Sequence, residues 1–301
     1  MKTCFPYTHI QLLDDIAEID GSSNVKTIRI FKVSHNNESF AVKAAVCKVC
    51  SAQNKSFFDM SVDKSRVGCS VCGDSVCSAS LQKENACLDK INASCVVKKI
   101  SNEYINKLFP LHSICMEYIP TDLFKIATDG IIIDDVNISK QILLAVHEIH
   151  SQGFAHRDIK LENFLYDERT SVVKLCDFGF AYDYSTINPN IFDKTYEILK
   201  EKVGSYYYCA PEVQCSDAYN GFLSDVWSLG VTIYALIYKT FPYIRYEENG
   251  VIRWKISFID DNSKNPLFLK VVQNCMNVNP ILRKSIKETL HEYFDSKKRN
   301  R

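Results

Sequence analysis

The sequence predicts an α+β fold, with a small antiparallel β-sheet first and a larger, mostly helical part after it. Three features carry that expectation. Short β-prone runs separated by turn clusters fill the stretch from Asp14 to Lys43. An amphipathic helical pattern follows in mid-chain, and a helix that is apolar on every side lies near its end.

The first runs, DIAEI, VKTIRIFKV and ESFAVKA, are divided by the polar clusters DGSSN and SHNN, which reads as a three-stranded antiparallel meander. From Asn137 to Gly153, Ile138, Ile142, Ala145, Val146 and Ile149 recur at helical spacing, and Gly153 supplies a stop. FLYD and VVKLCDF read as strand, turn and strand. Ser224 is the expected N-cap of a helix from Asp225 to Tyr238 whose apolar residues, Trp227 and Leu229 among them, occupy all sides and so belong inside a core. LFLKVVQNCM and SIKETLHEYF are two further amphipathic helices.

The chain has 301 residues, 46% of them apolar, enough for a sizeable core. Lys plus Arg and Asp plus Glu both number 36, so no net positive charge favours a nucleic-acid backbone, and no nucleic-acid partner is expected. The N-terminus has no continuous apolar core with a small-residue cleavage site. No stretch approaches bilayer-spanning length, so no membrane partner is expected. An intracellular, cytoplasmic location follows, with the nucleus as a second compartment. Thirteen cysteines in so long a chain fit reduced thiols better than a disulfide scaffold, and seven of them lie between Cys47 and Cys95. Residues 295–301 form a basic tail, read as a solvated terminus or a targeting segment. Nothing in the pattern sets an oligomeric state.

The chemistry is concentrated in a few motifs. His156-Arg157-Asp158-Ile159-Lys160-Leu161-Glu162-Asn163 places Asp and Asn five residues apart, and fourteen residues later comes Asp177-Phe178-Gly179. In this order, after an amphipathic helix and among strand-like runs, they resemble the catalytic loop and metal-binding motif of the eukaryotic protein kinase superfamily, serine/threonine class. The resemblance implies a bilobal fold, with a small sheet and helix C in the N-lobe (about 12–117) and a helical C-lobe (about 121–294). It implies ATP and Mg²⁺ as cofactors and proteins as substrates. Asp158 would accept the proton of a Ser or Thr hydroxyl, Asn163 and Asp177 would hold Mg²⁺, and Lys160 would steady the phosphoryl group in flight. His156 would pack on Phe178 rather than act as a base.

Other segments extend the resemblance over residues 12–294. Gly204 to Glu212 (GSYYYCAPE) looks like the substrate-binding segment, with Ser205 near the catalytic Asp. Asp225 resembles the buried carboxylate that anchors the catalytic loop, and Arg283 the partner of Glu212. Upstream, Phe40-Ala41-Val42-Lys43 resembles the strand whose Lys grips the ATP phosphates, paired with Glu84 on helix C; the alternative is a solvated Glu84. Val96-Val97 would open the next strand. Val25 would cover the nucleotide, Met116 would be the gatekeeper before the hinge residues Glu117 and Tyr118, and Asp122 would reach the ribose.

Three departures accompany the resemblance. The phosphate-covering loop has Glu18, Asp20 and Ser23 where glycines are expected, and carboxylates there repel phosphate. Lys43 and Glu84 stand 41 residues apart, more than twice the family's spacing, with a Cys-rich insertion at 47–77 between them. Cys47 and Cys50, then Cys69 and Cys72 after 18 residues, have the spacing of a structural zinc site, with reduced thiols as the alternative and Cys77 as a substitute ligand. The segment from Asp177 to Glu212 runs 36 residues, and Glu201 occupies the usual phosphorylation position. Its carboxylate could pair with Arg157, or simply face solvent; Thr195, Ser185 and Thr186 are alternative phosphorylation sites. The competing function is a kinase-fold binding module that is weak or inactive in catalysis and uses its Cys-rich insertion for interaction.

Overall fold

The computed structural model describes residues 9–19, 25–47, 79–103, 105, 113–185, 198–259 and 266–299. The chain divides into two compact units, Met1–Lys90 with Val97–Ile119, and Ile91–Val96 with Pro120–Arg301. An antiparallel sheet characterises the first and helices the second, an α+β arrangement.

In the first unit β1 (His9–Ile19), β2 (Val25–His35), β3 (Glu38–Cys47) and β4 (Ser113–Glu117) form an antiparallel sheet in the order β1-β2-β3-β4. The strand period of two sends Phe31, Val33, Phe40 and Val42 to one face, where they make a buried cluster with Ile105 and Cys115. Truncating Phe40 to Ala there would cost about 3–5 kcal/mol. Helix α1 (Ala79–Lys90) buries Leu81, Glu84, Cys87 and Leu88, spacing that places a carboxylate on its buried face. The strand expected at Val96-Val97 is instead a run of isolated bridges. Val96 bridges Leu175, and Lys99 bridges Met116.

The second unit contains β5 (Thr121–Asp122), α2 (Leu123–Thr128), α3 (Asp135–Ser151), β6 (Phe154–Ala155), β7 (Phe164–Asp167), β8 (Val172–Leu175), β9 (Tyr182–Asp183) and α4 (Pro211–Cys215). These are followed by α5 (Gly221–Tyr238), β10 (Tyr243–Glu248), β11 (Val251–Ile256), α6 (Pro266–Cys275) and α7 (Ile286–Arg299). Gly153, with φ +86°, follows α3 and donates its N–H to His150 O.

Two expectations need correction. Helix α5 begins at Gly221, not Asp225, because the Asn220 side chain accepts hydrogen bonds from Phe222 N and Leu223 N and so is the cap; Ser224 Oγ instead donates to Gly221 O. At 18 residues α5 is also long and apolar enough to cross a membrane, yet 94% of it is buried inside the unit, as a core helix requires. The β10–β11 hairpin was not expected. Its two-residue turn is Asn249-Gly250, with φ +53° and +75°, the left-handed pair that this tight connection needs.

Candidate active site

Two groups of the expected residues assemble, one in each unit. In the sheet unit, Lys43 on β3 and Glu84 on α1 are 5% and 1% exposed, and Lys43 Nζ lies 2.7 Å from Glu84 Oε2. Neither charge could remain in that environment alone, since a buried ion without its partner costs about 3–5 kcal/mol. Met116 is buried in β4, beside Ala41 of β3 in register. Glu117 accepts from Lys98 N at 2.7 Å, and Lys32 Nζ stands 4.4 Å from the Tyr118 ring centroid. Val25 opens β2, opposite Ile19.

In the helical unit, the loop after β6 is built around Asp158, which is 5% exposed. Its Oδ2 receives Lys160 Nζ at 2.8 Å and Asn163 Nδ2 at 3.2 Å, while Oδ1 accepts from Ser205 N at 2.8 Å. Lys160 Nζ also donates to Ser205 Oγ at 2.8 Å, and Asn163 Nδ2 to the Asp158 carbonyl at 2.7 Å. Burial would pull the Lys160 ammonium down, but Asp158, hydrogen-bonded to it, and then Glu162 and Asp177 hold it above its ordinary value. Ser205 can approach because the preceding residue is Gly204, with φ +102°; a Cβ there would stand 2.5 Å from Arg157 O. Arg157 and Asp177 are themselves left-handed, at φ +69° and +64°, conformations that cost about 1–3 kcal/mol and collect at functional sites.

One carboxylate anchors this loop. Asp225, 1% exposed on α5, accepts from His156 N and Arg157 N, both at 2.7 Å, and its Oδ2 lies 2.9 Å from His150 Nε2. His156 Nε2 bonds the Cys176 carbonyl at 2.9 Å and its Nδ1 accepts from Asp158 N at 3.2 Å, which places the ring proton on Nε2. The same ring meets Phe178 edge-on, with centroids 4.9 Å apart. Arg157 donates to Glu201 Oε2 at 3.0 Å, and Glu201 is itself held through its carbonyl by Tyr219 Oη at 2.8 Å. Arg283 grips Glu212 with two bonds of 2.6 and 2.9 Å and is fully buried.

Asp122 is the N-cap of α2, accepting from Lys125 N at 2.8 Å. Cys47 ends β3, while Cys50, Cys69, Cys72 and Cys77 lie outside the described residues, as do Asp20, Ser23, Thr186 and Thr195. Among the described residues no group of three or more His, Cys, Asp or Glu is placed to hold a metal ion. Sequence reasoning missed His150 and Tyr219; nothing local marks a histidine in a helix as the partner of a carboxylate 75 residues away.

The family model described as "Protein kinase domain" matches residues 34–294. NUAK family SNF1-like kinase 1 of Mus musculus is 38% identical over 114 residues, covering 38% of this chain and 16% of that protein. Serine/threonine-protein kinase SRK2J of Arabidopsis thaliana is 32% identical over 165 residues, 52% of this chain and 46% of that protein. Serine/threonine-protein kinase PSK2 of Saccharomyces cerevisiae is 33% identical over 163 residues, 53% of this chain and 13% of that protein. The chain thus matches less than half the length of each of these curated relatives.

Proposed function

This chain belongs to the protein kinase domain family, and from that premise we propose that it is a serine/threonine protein kinase, transferring the γ-phosphate of ATP to protein Ser or Thr hydroxyls. The observation that carries the reading is the Asp158 carboxylate, buried and held by Lys160, Asn163 and the Ser205 amide. A carboxylate so held is a fixed acceptor for a hydroxyl proton, and Lys160 beside it puts a cation where a phosphoryl group would gain negative charge. Lys43, steadied by Glu84, would hold the ATP phosphates.

Family membership implies ATP and Mg²⁺. The donor set suits a hard cation: Asp177 offers carboxylate oxygen, and the amide of Asn163 is turned so that Nδ2 faces Asp158 while Oδ1 accepts no hydrogen bond among the described residues. Mg²⁺ at these oxygens would neutralise phosphate charge. Met116, Glu117, Tyr118, Val25 and Asp122 are assigned to the nucleotide, within a kinase domain of residues 12–294. The buried charges favour catalysis over the binding-module alternative, since Asp158, Lys43 and Glu84 each cost desolvation energy that mere interaction does not need.

Two finer assignments belong to the same reading. Cys47, Cys50, Cys69 and Cys72 would bind one structural Zn²⁺, and chelation should then release one zinc per chain and lower the melting temperature; a metal-free native protein would end that idea. A cytoplasmic location with protein partners accompanies the activity. The functional test is transfer of labelled γ-phosphate from Mg-ATP to a basic protein, which Asp177→Ala should abolish and which, if absent from folded wild type, would shift the reading to a binding module.

A further inference from the structure

Arg245 on β10 has an unusual setting. It pairs in register with Trp254 on β11, and its guanidinium carbon lies 5.8 Å from that ring centroid and 4.3 Å from the centroid of Tyr206. Two aromatic faces therefore hold a cation whose charge they leave available, because stacking occupies the guanidinium plane and not its N–H edge. Among the described residues the Arg245 side chain forms no ion pair or hydrogen bond, and its Nε is buried without an acceptor; Trp254 Nε1 beside it is likewise unpaired. The acidic residues of the hairpin do not supply the missing partner. Glu248 pairs with Arg253 at 2.6 Å, and Glu247 makes no bridge to Arg245. Those two buried N–H groups are closed to an acceptor from outside, so the Nη edge of the half-buried guanidinium is what remains to meet one.

The position of this clamp says what would bring the acceptor. Tyr206 directly follows Ser205, whose N–H is 2.8 Å from Asp158 Oδ1. Consecutive Cα atoms are about 3.8 Å apart, so one side-chain length separates the guanidinium from the segment that touches Asp158. An extended peptide advancing about 3.3 Å per residue would cover that path within about six residues of its hydroxyl. The shelf around Tyr206 is open, with Tyr206 55% and Tyr207 62% exposed and Tyr207 stacked on Phe241.

We propose that Arg245 is a specificity-determining residue that binds an anionic side chain of the protein substrate, carboxylate or phosphate, lying within about six residues of the acceptor hydroxyl. This rests on the kinase reading of Asp158 but is tested apart from it. Peptides whose acceptor Ser is replaced by Ala, scanned with Asp, Asn, phosphoserine or Lys at each nearby position, are titrated by fluorescence anisotropy against wild type, Arg245→Ala and Arg245→Glu. At one position wild type should bind the Asp peptide about tenfold more tightly than the Asn peptide. Arg245→Ala should lose that preference and Arg245→Glu should turn it toward Lys. A phosphoserine peptide that binds more tightly than the Asp peptide assigns a previously phosphorylated substrate, and the reverse order assigns an acidic one. Equal binding of Asp and Asn peptides at every position, or a preference retained in Arg245→Ala, overturns the proposal. If the preference appears while Ser-containing peptides receive no phosphate, Arg245 keeps its role and the catalytic reading falls.

Discussion

His150 Nε2 and Asp225 Oδ2 lie 2.9 Å apart, both buried, so a carboxylate on α5 joins a helix-α3 imidazole to the two backbone amides of His156 and Arg157. Three donors converge on one acid, and the loop carrying Asp158 has its position set from below. Asp225→Asn replaces an acceptor oxygen with an NH₂ that faces an N–H, and it removes the charge. Urea titration should show a loss of about 3 kcal/mol, with phosphotransfer falling as well. His150→Phe removes only one donor and should cost less, about 1–2 kcal/mol.

Glu201 presents its carboxylate to Arg157 at 3.0 Å where the family expects a phosphorylated residue. Phosphatase treatment should therefore leave activity unchanged. The pair is unequal, with the Arg157 side chain 2% exposed and that of Glu201 64%, so solvent screening limits its worth. Glu201→Gln should lower kcat roughly two- to fivefold. A collapse of activity after phosphatase would assign control to a phosphate on another residue of the segment.

Four of the described thiols are poor nucleophiles. Burial pushes Cys95 up to about 12, helped by its bond to Glu148, and burial carries Cys115 to about 11 and Cys275 to about 12. Cys209 is also raised to about 12, by burial and then by Glu212. At pH 8 iodoacetamide should label exposed Cys215 well before these four, as peptide mass spectrometry would read. The linkage has one sign. Each folded-state value is raised above the model-compound 9.0, so the unfolded chain loses protons first, and stability, full below pH 9, should fall as pH rises from about 9 toward 12.

Local signals made much of this molecule legible. The β-prone runs VKTIRIFKV and ESFAVKA, divided by a polar turn cluster, marked the sheet, and the all-apolar run through Trp227 marked the central helix. The site was readable because Asp158, Asn163 and Asp177 are close in sequence. Contacts set by tertiary packing were not: His150 against Asp225 depends on two helices meeting, and the start of α5 depended on Asn220 outcompeting Ser224 as a cap. The β10–β11 hairpin could have been found, since Tyr243 to Ile256 alternates around an Asn-Gly pair, a strong two-residue turn signal. The surface beside Tyr206 depends on that hairpin.

If Asp158 is the base for phosphoryl transfer to a protein hydroxyl, Asp158→Asn removes that base while keeping nearly the same shape. Single-turnover transfer of labelled γ-phosphate from Mg-ATP should be measured for wild type and variant, alongside nucleotide binding and melting temperature. The transfer rate should fall at least about a hundredfold with nucleotide binding nearly unchanged, while the melting temperature drops because the new NH₂ faces one of the donors that Asp158 now accepts from. Equal transfer by Asp158→Asn and wild type would contradict that role of Asp158.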